Sequence, residues 1–171
     1  MEKTEPLQSA NKPFRWTAEL RLEVFDAWKS FIACNMEFLP IPVTHGVGYT
    51  SYGFEFGHEV GARFVYISDV SELPAQTKAY LNDSSKASID ILMIDSLYID
   101  KYNSAHMSLA EALKELKTIR PKRTLLTGMS HELDYFTHGK WVEQLGNDND
   151  LHIEMPYDGL RLAFPQASNR S

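Results

Sequence analysis

The sequence is short of several things, and each shortage removes a class of function. Cys34 is the one cysteine in the chain, so no internal disulfide can form and a reducing compartment, the cytoplasm, is expected. No apolar run approaches the roughly 20 residues of a membrane span. The opening residues, MEKTEPLQSANKPF, lack the apolar stretch of a secretory signal. No membrane partner is therefore expected. Basic residues are in deficit, with 17 Lys and Arg against 23 Asp and Glu and a formal net charge of -6. That balance argues against non-specific nucleic-acid binding. It leaves room for a small phosphorylated substrate held by a metal. The chain has no GxGxxG loop, no Walker A loop and no GxSxG elbow. It has no internal repeat, no low-complexity run and no linker.

What remains is an ordinary globular composition. The 171 residues are 43% hydrophobic and 23% charged, enough for one domain with a sizeable core. Residues 1–13 and 165–171 are polar and read as flexible tails around a domain spanning 14–164. Residues 14–25 partly alternate and favour a strand, though Trp16, Leu20 and Val24 also fit a helical stripe. A hairpin is expected from 31–33 into 36–43 through a turn at Asn35. Pro40 and Pro42 make its second strand peripheral or irregular. Strands follow at 51–56 and 63–68, the latter nearly all apolar and so buried on both faces.

Next come a helix over 71–81 with Ser71 as its cap, a strand over 89–95, and a helix over 108–117. In the last of these Ser108 and Glu111 form a capping box. A strand over 123–128 leads to a broken helical stripe over 133–145, with Gly146 as a C-cap. A final hairpin is expected around Tyr157, Asp158 and Gly159. The plan is α/β: a mixed sheet with helices on at least one face.

Polar residues collect where the buried strands end. His45 follows the strand at 36–43, Asp69 the strand at 63–68, and Asp95 closes the strand at 89–95. His106 lies in the loop before the capped helix, and His131 lies just after the strand at 123–128. Ligands in α/β sheets bind where strand ends run into loops. Neighbouring strands lie roughly 5 Å apart, so His45 and Asp69 can reach a shared metal ion. Either can equally be an ordinary turn residue. His58, His138 and His152 read as surface or turn residues, Asp90 and Asp100 as caps or loop residues, and Cys34 as an inert thiol.

Six segments in order then carry a resemblance. FLPIPVTHG (38–46), YISDVSELP (66–74), DILMIDSLY (90–98), NSAHMSLAEAL (103–113), RTLLTGMSHELD (123–134) and MPYDGLRL (155–162) look like the C-terminal half of the metallo-β-lactamase fold. They are most similar to the branch of phosphoribosyl cyclic phosphodiesterases and tRNA 3′-processing nucleases. The resemblance covers roughly residues 20–164. It implies half of an αββα sandwich, with helices on one face of a mixed sheet.

The resemblance also implies roles. His45 is similar to a histidine that binds one of two metals, and Asp69 to the aspartate that bridges both. His106 resembles the loop histidine that contacts the substrate phosphate and acts as general acid. Gly128 stands where many members carry a last metal-binding histidine, and His131, three residues on, is the candidate substitute. Members also carry a His-x-His-x-Asp-His motif ahead of these segments, and this sequence contains none. The implied function is a metal-dependent hydrolase of phosphodiester type, truncated, using zinc or manganese on a small phosphodiester. The alternative is a non-catalytic half-fold serving as a binding or homo-oligomerisation module.

Overall fold

The computed structural model describes residues 22–164. The expected tails, 1–13 and 165–171, and most of the strand expected over 14–25 lie outside these residues. Residues 22–25 themselves form no strand.

The described chain forms one seven-stranded sheet whose strands lie in sequence order. The strands are β1 (Phe31–Ala33), β2 (Met36–Thr44), β3 (Thr50–Phe56), β4 (Phe64–Ile67), β5 (Ile91–Asp95), β6 (Thr124–Thr127) and β7 (Ile153–Glu154). Strands β1 to β4 pair antiparallel, and β4 to β7 pair parallel. The parallel half is joined by α1 (Ala75–Leu81), α2 (Leu109–Ile119) and α3 (Tyr135–Asp148). Crossovers between parallel strands are right-handed, and successive ones in a single direction stack their helices on one face of the sheet.

The hairpin β1–β2 turns on Cys34 and Asn35, at φ 51 and 62, the paired left-handed conformation of a two-residue hairpin loop. Asn tolerates that conformation. Pro40 and Pro42 fall beyond the last residue of β2 that β1 pairs, Phe38. Their missing N–H groups thus leave no gap in the ladder between these two strands. Helix α2 opens as its sequence predicts: Ser108 Oγ accepts from the Glu111 N–H, and the Glu111 carboxylate accepts from the Ser108 N–H.

Three expectations give way to tertiary contacts. Ser71 does not cap α1, which starts after Pro74. Its hydroxyl donates to the Thr44 carbonyl and accepts from the Gly46 N–H, at 3.1 and 3.0 Å, so it ties the end of β2 to the end of β4. Gly146 does not cap α3 but lies inside it. A Cβ there would sit 2.8 Å from the Leu151 carbonyl oxygen and 3.1 Å from the Ile153 nitrogen, so glycine lets β7 pack against the helix. The closing hairpin is half realised. Leu160 N–H does bond the Tyr157 carbonyl, but Ile153–Glu154 joins β6 in parallel and no strand follows among the described residues.

The helix-covered face of the sheet is aliphatic. Ile41, Val43, Val65, Ile67, Leu92, Ile94 and Leu126 lie at 0 to 1% exposure and form one cluster with Leu81, Leu109, Leu116 and Val142 from the helices. Each such side chain contributes roughly 1.5–3 kcal/mol on burial. The alternate positions fill the opposite face with rings: Phe38 touches Phe31, Phe54 and Phe56, and Phe56 touches Phe64, across four strands.

Candidate metal centre

Strand β2 runs parallel to β4, since β3 reverses between them. The carboxyl ends of β2, β4 and β5 therefore share one edge of the sheet, and His45, Asp69 and Asp95 all leave from it. Ser71 N–H bonds the Thr44 carbonyl at 2.7 Å, which locks the two exits side by side. Asp69 holds φ 52, a left-handed conformation that Asp tolerates better than most residues and that clusters at functional sites.

The loop between β5 and α2 folds back over this edge. Leu97 N–H bonds the Met107 carbonyl, and Met107 N–H bonds the Val70 carbonyl, each at 2.8 Å. Asn103 Oδ1 accepts from the Ala105 and His106 N–H groups at 2.9 and 3.1 Å. These bonds carry His106 to His45, with ring centroids 4.8 Å apart and planes at 78°.

His45, Asp69 and His106 converge: one donor atom from each lies within 4.8 Å of the others. Both imidazoles are anchored through Nδ1. His45 Nδ1 meets the Ala105 carbonyl oxygen at 2.7 Å, and His106 Nδ1 meets Asp95 Oδ2 at 2.7 Å. A carbonyl or carboxylate on one ring nitrogen fixes the tautomer and leaves the other nitrogen as the free donor. Asp69 makes no ion pair among the described residues. Two imidazoles with fixed tautomers and one unpaired carboxylate are a donor set that fits a divalent transition-metal ion.

Asp95 is fully buried. Burial pushes its carboxyl above the usual carboxylate range, while the His106 hydrogen bond and the Val70 N–H pull the other way. Its Oδ1 has no hydrogen-bond partner and lies where a Cβ on Gly128 would be. Gly128 itself has φ 69. The glycine at the end of β6 is therefore matched to the buried carboxylate, and no histidine fits there with Asp95 as it stands.

His131 stands exposed in the loop after β6 and is not among the three converging residues. Of the other histidines, His58 pairs with Glu55 and His152 with Glu154. The sequence places Asp95 at a strand end but gives no reason to join it to His106. The available signal was a carboxylate closing an otherwise apolar strand. Asn103 and the Ala105 carbonyl left no signal, because their roles depend on the path of the loop.

This edge and its donors form a candidate metal-binding site at the strand ends of an α/β sheet. The chain belongs to the beta-lactamase superfamily domain family, which matches residues 2–129. No curated protein matches the sequence. Among solved structures it is similar to a diphosphatase from the PhnP family, at 26% identity and TM-score 0.61 over 80% of this chain. YhfI of Bacillus subtilis, a metallo-beta-lactamase fold protein, matches over 80% of the chain at 16% identity and TM-score 0.61. Zinc-bound PqqB of Methylobacterium extorquens matches over 83% at 13% identity and TM-score 0.65. The chain spans 46%, 53% and 55% of the length of these three proteins.

Proposed function

We propose that this chain serves a metal-dependent hydrolase acting on a small phosphodiester, in the phosphoribosyl cyclic phosphodiesterase and tRNA 3′-processing branch of its family. The observation that carries this reading is the convergence of His45, Asp69 and His106 with both imidazole tautomers fixed. The similarity to a PhnP-family diphosphatase supports the phosphate chemistry. The net charge of -6 favours a small substrate over a nucleic-acid polymer.

In this reading His45 and Asp69 hold zinc or manganese, and His131 is a further ligand supplied from its exposed loop. A bound ion would polarise the phosphoryl oxygens and acidify a water. His106 donates a proton from Nε2 to the leaving oxygen, while Asp95 holds its Nδ1 and orients the ring. Among the described residues no helix is long and apolar enough to cross a membrane, and the reading places the protein in the cytoplasm.

The test is elemental analysis beside phosphodiester turnover. The chain should hold about one metal per molecule, and Asp69→Asn should lose it. His106→Ala should lose turnover and keep the metal. Loss of both in His106→Ala would make His106 a ligand instead. No metal in the parent chain would overturn the assignment of His45 and Asp69.

A second reading, a binding or oligomerisation module, is favoured by the aromatic face of the sheet. Tyr66 there is 38% exposed, and Phe31, Ala33, Phe38 and Phe54 line a cavity of about 230 Å³.

A further inference from the structure

A second cavity opens on the same edge of the sheet as the metal centre. Tyr135, Phe136, Pro156, Tyr157 and Asp158 line about 580 Å³, a volume within the range of small-molecule sites. Its position follows from the topology. Tyr135 and Phe136 open α3 directly after the loop that leaves the carboxyl end of β6, and Tyr157 follows the carboxyl end of β7. β6 is the neighbour of β5, whose end carries Asp95. Strands roughly 5 Å apart put this cavity within about two strand spacings of Asp95, which holds the His106 ring.

The lining has a particular character. Tyr135 packs edge-on against Phe136 and Tyr157, with centroids 5.4 and 5.8 Å apart. Phe136 is 91% exposed and Tyr157 53% exposed. The first turn of α3 is held by Asp134, whose carboxylate accepts from the Thr137 N–H and hydroxyl at 2.9 and 2.8 Å. A solvent-facing ring on an anchored helix start, beside two phenols and a carboxylate, is poorly suited to an aliphatic partner. It suits a flat heteroaromatic ring with hydrogen-bond donors on its rim.

We propose that Tyr135, Phe136 and Tyr157 form a stacking subsite for the nucleobase of a nucleotide phosphodiester, with Asp158 accepting from a base amine or ribose hydroxyl. This names the substrate class of the metal site and rests on the hydrolase reading for its phosphate half. Stacking on aromatic side chains tolerates any base, so the subsite selects nucleotides as a class.

The experiment is adenosine titration of the purified chain, followed by amide chemical shifts in the presence of a chelator. Ribose 5-phosphate is titrated in parallel. Adenosine should shift the amides of residues 135–137, 157 and 158, and ribose 5-phosphate should not. Phe136→Ala should weaken adenosine about tenfold or more, and Phe136→Trp should restore it. Position 136 is exposed, so both variants keep the fold. Adenosine shifts elsewhere, no shifts, or unchanged affinity in Phe136→Ala would overturn the proposal. So would concentration-dependent shifts of the same residues without adenosine, which would mark a contact between copies. Because the readout needs neither metal nor turnover, stacking without hydrolysis would reject only the hydrolase reading, and hydrolysis without stacking only the subsite.

Discussion

The two ends of the parallel strands hold their charges in opposite ways. At the amino ends, Arg63 precedes β4, Asp90 precedes β5 and Arg123 precedes β6. Arg63 bonds Glu55 at 3.0 Å, Lys122 bonds Asp90 at 2.7 Å, and Arg123 bonds Glu154 through two nitrogens at 2.6 and 2.7 Å. Burial pushes Asp90 up, but Lys122 and the Arg63 N–H outweigh it and hold the carboxyl below its usual range. At the carboxyl ends, Asp69 has no cation among the described residues, Asp95 is buried against an imidazole, and two histidines face one carboxylate. Paired charges finish a fold. Converging donors with no cation among them are costly unless a ligand joins them.

The largest expected effect breaks the paired end. Arg63→Ala leaves Glu55, 3% exposed, without its guanidinium. Breaking a buried pair costs about 3–5 kcal/mol, to be read from urea denaturation. A loss below about 1 kcal/mol would mean that this end does not hold the sheet together.

Gly128→His asks whether the unpaired end is a defective copy of a fuller site. The added Cβ meets Asp95 Oδ1, and φ 69 strains any side chain. The variant should lose roughly 2–4 kcal/mol and gain no metal. A gain in metal content would show the carboxylate swinging aside to admit a new ligand.

Asp95→Asn keeps the shape and removes the charge that holds His106. Turnover should fall about 10–100-fold with metal content kept. Unchanged turnover would make Asp95 merely structural.

The smallest effect returns to the paired end. The Arg123 hydrogen bond, despite burial, holds Glu154 below the usual carboxylate range. A lowered folded pKa means that the pair stabilises the fold above the unfolded value, about 4.3, and that this is lost as pH falls through the folded value. Glu154→Gln should therefore cost about 1–2 kcal/mol at pH 7, and the difference from the parent should close on acidification. Parallel stability curves down to pH 2 would reject the assignment.

Legibility from sequence tracks how local the physics is. The β1–β2 hairpin and the Ser108–Glu111 capping box are readable because a few adjacent residues decide them. Ser71 and Gly146 mislead because each has a local meaning, as cap and as terminator, that a distant partner overrides. Ser71 bonds Thr44 and Gly46, and Gly146 makes room for Leu151 and Ile153. Residues 153–154 have β character, but whether they pair with residues 160–164 or with β6 is set by which edge is open.

The sequence by itself determined where candidate donors leave the sheet: apolar strands must stop where the chain leaves the core, and His45, Asp69 and Asp95 mark those stops. Only the tertiary structure decided which of the candidates meet. His106 arrives because a folded-back loop is tied to Val70 and its ring to Asp95, whereas His131 follows another strand and is not among the three converging residues. Distances across a sheet depend on register and loop path, and no local periodicity encodes either.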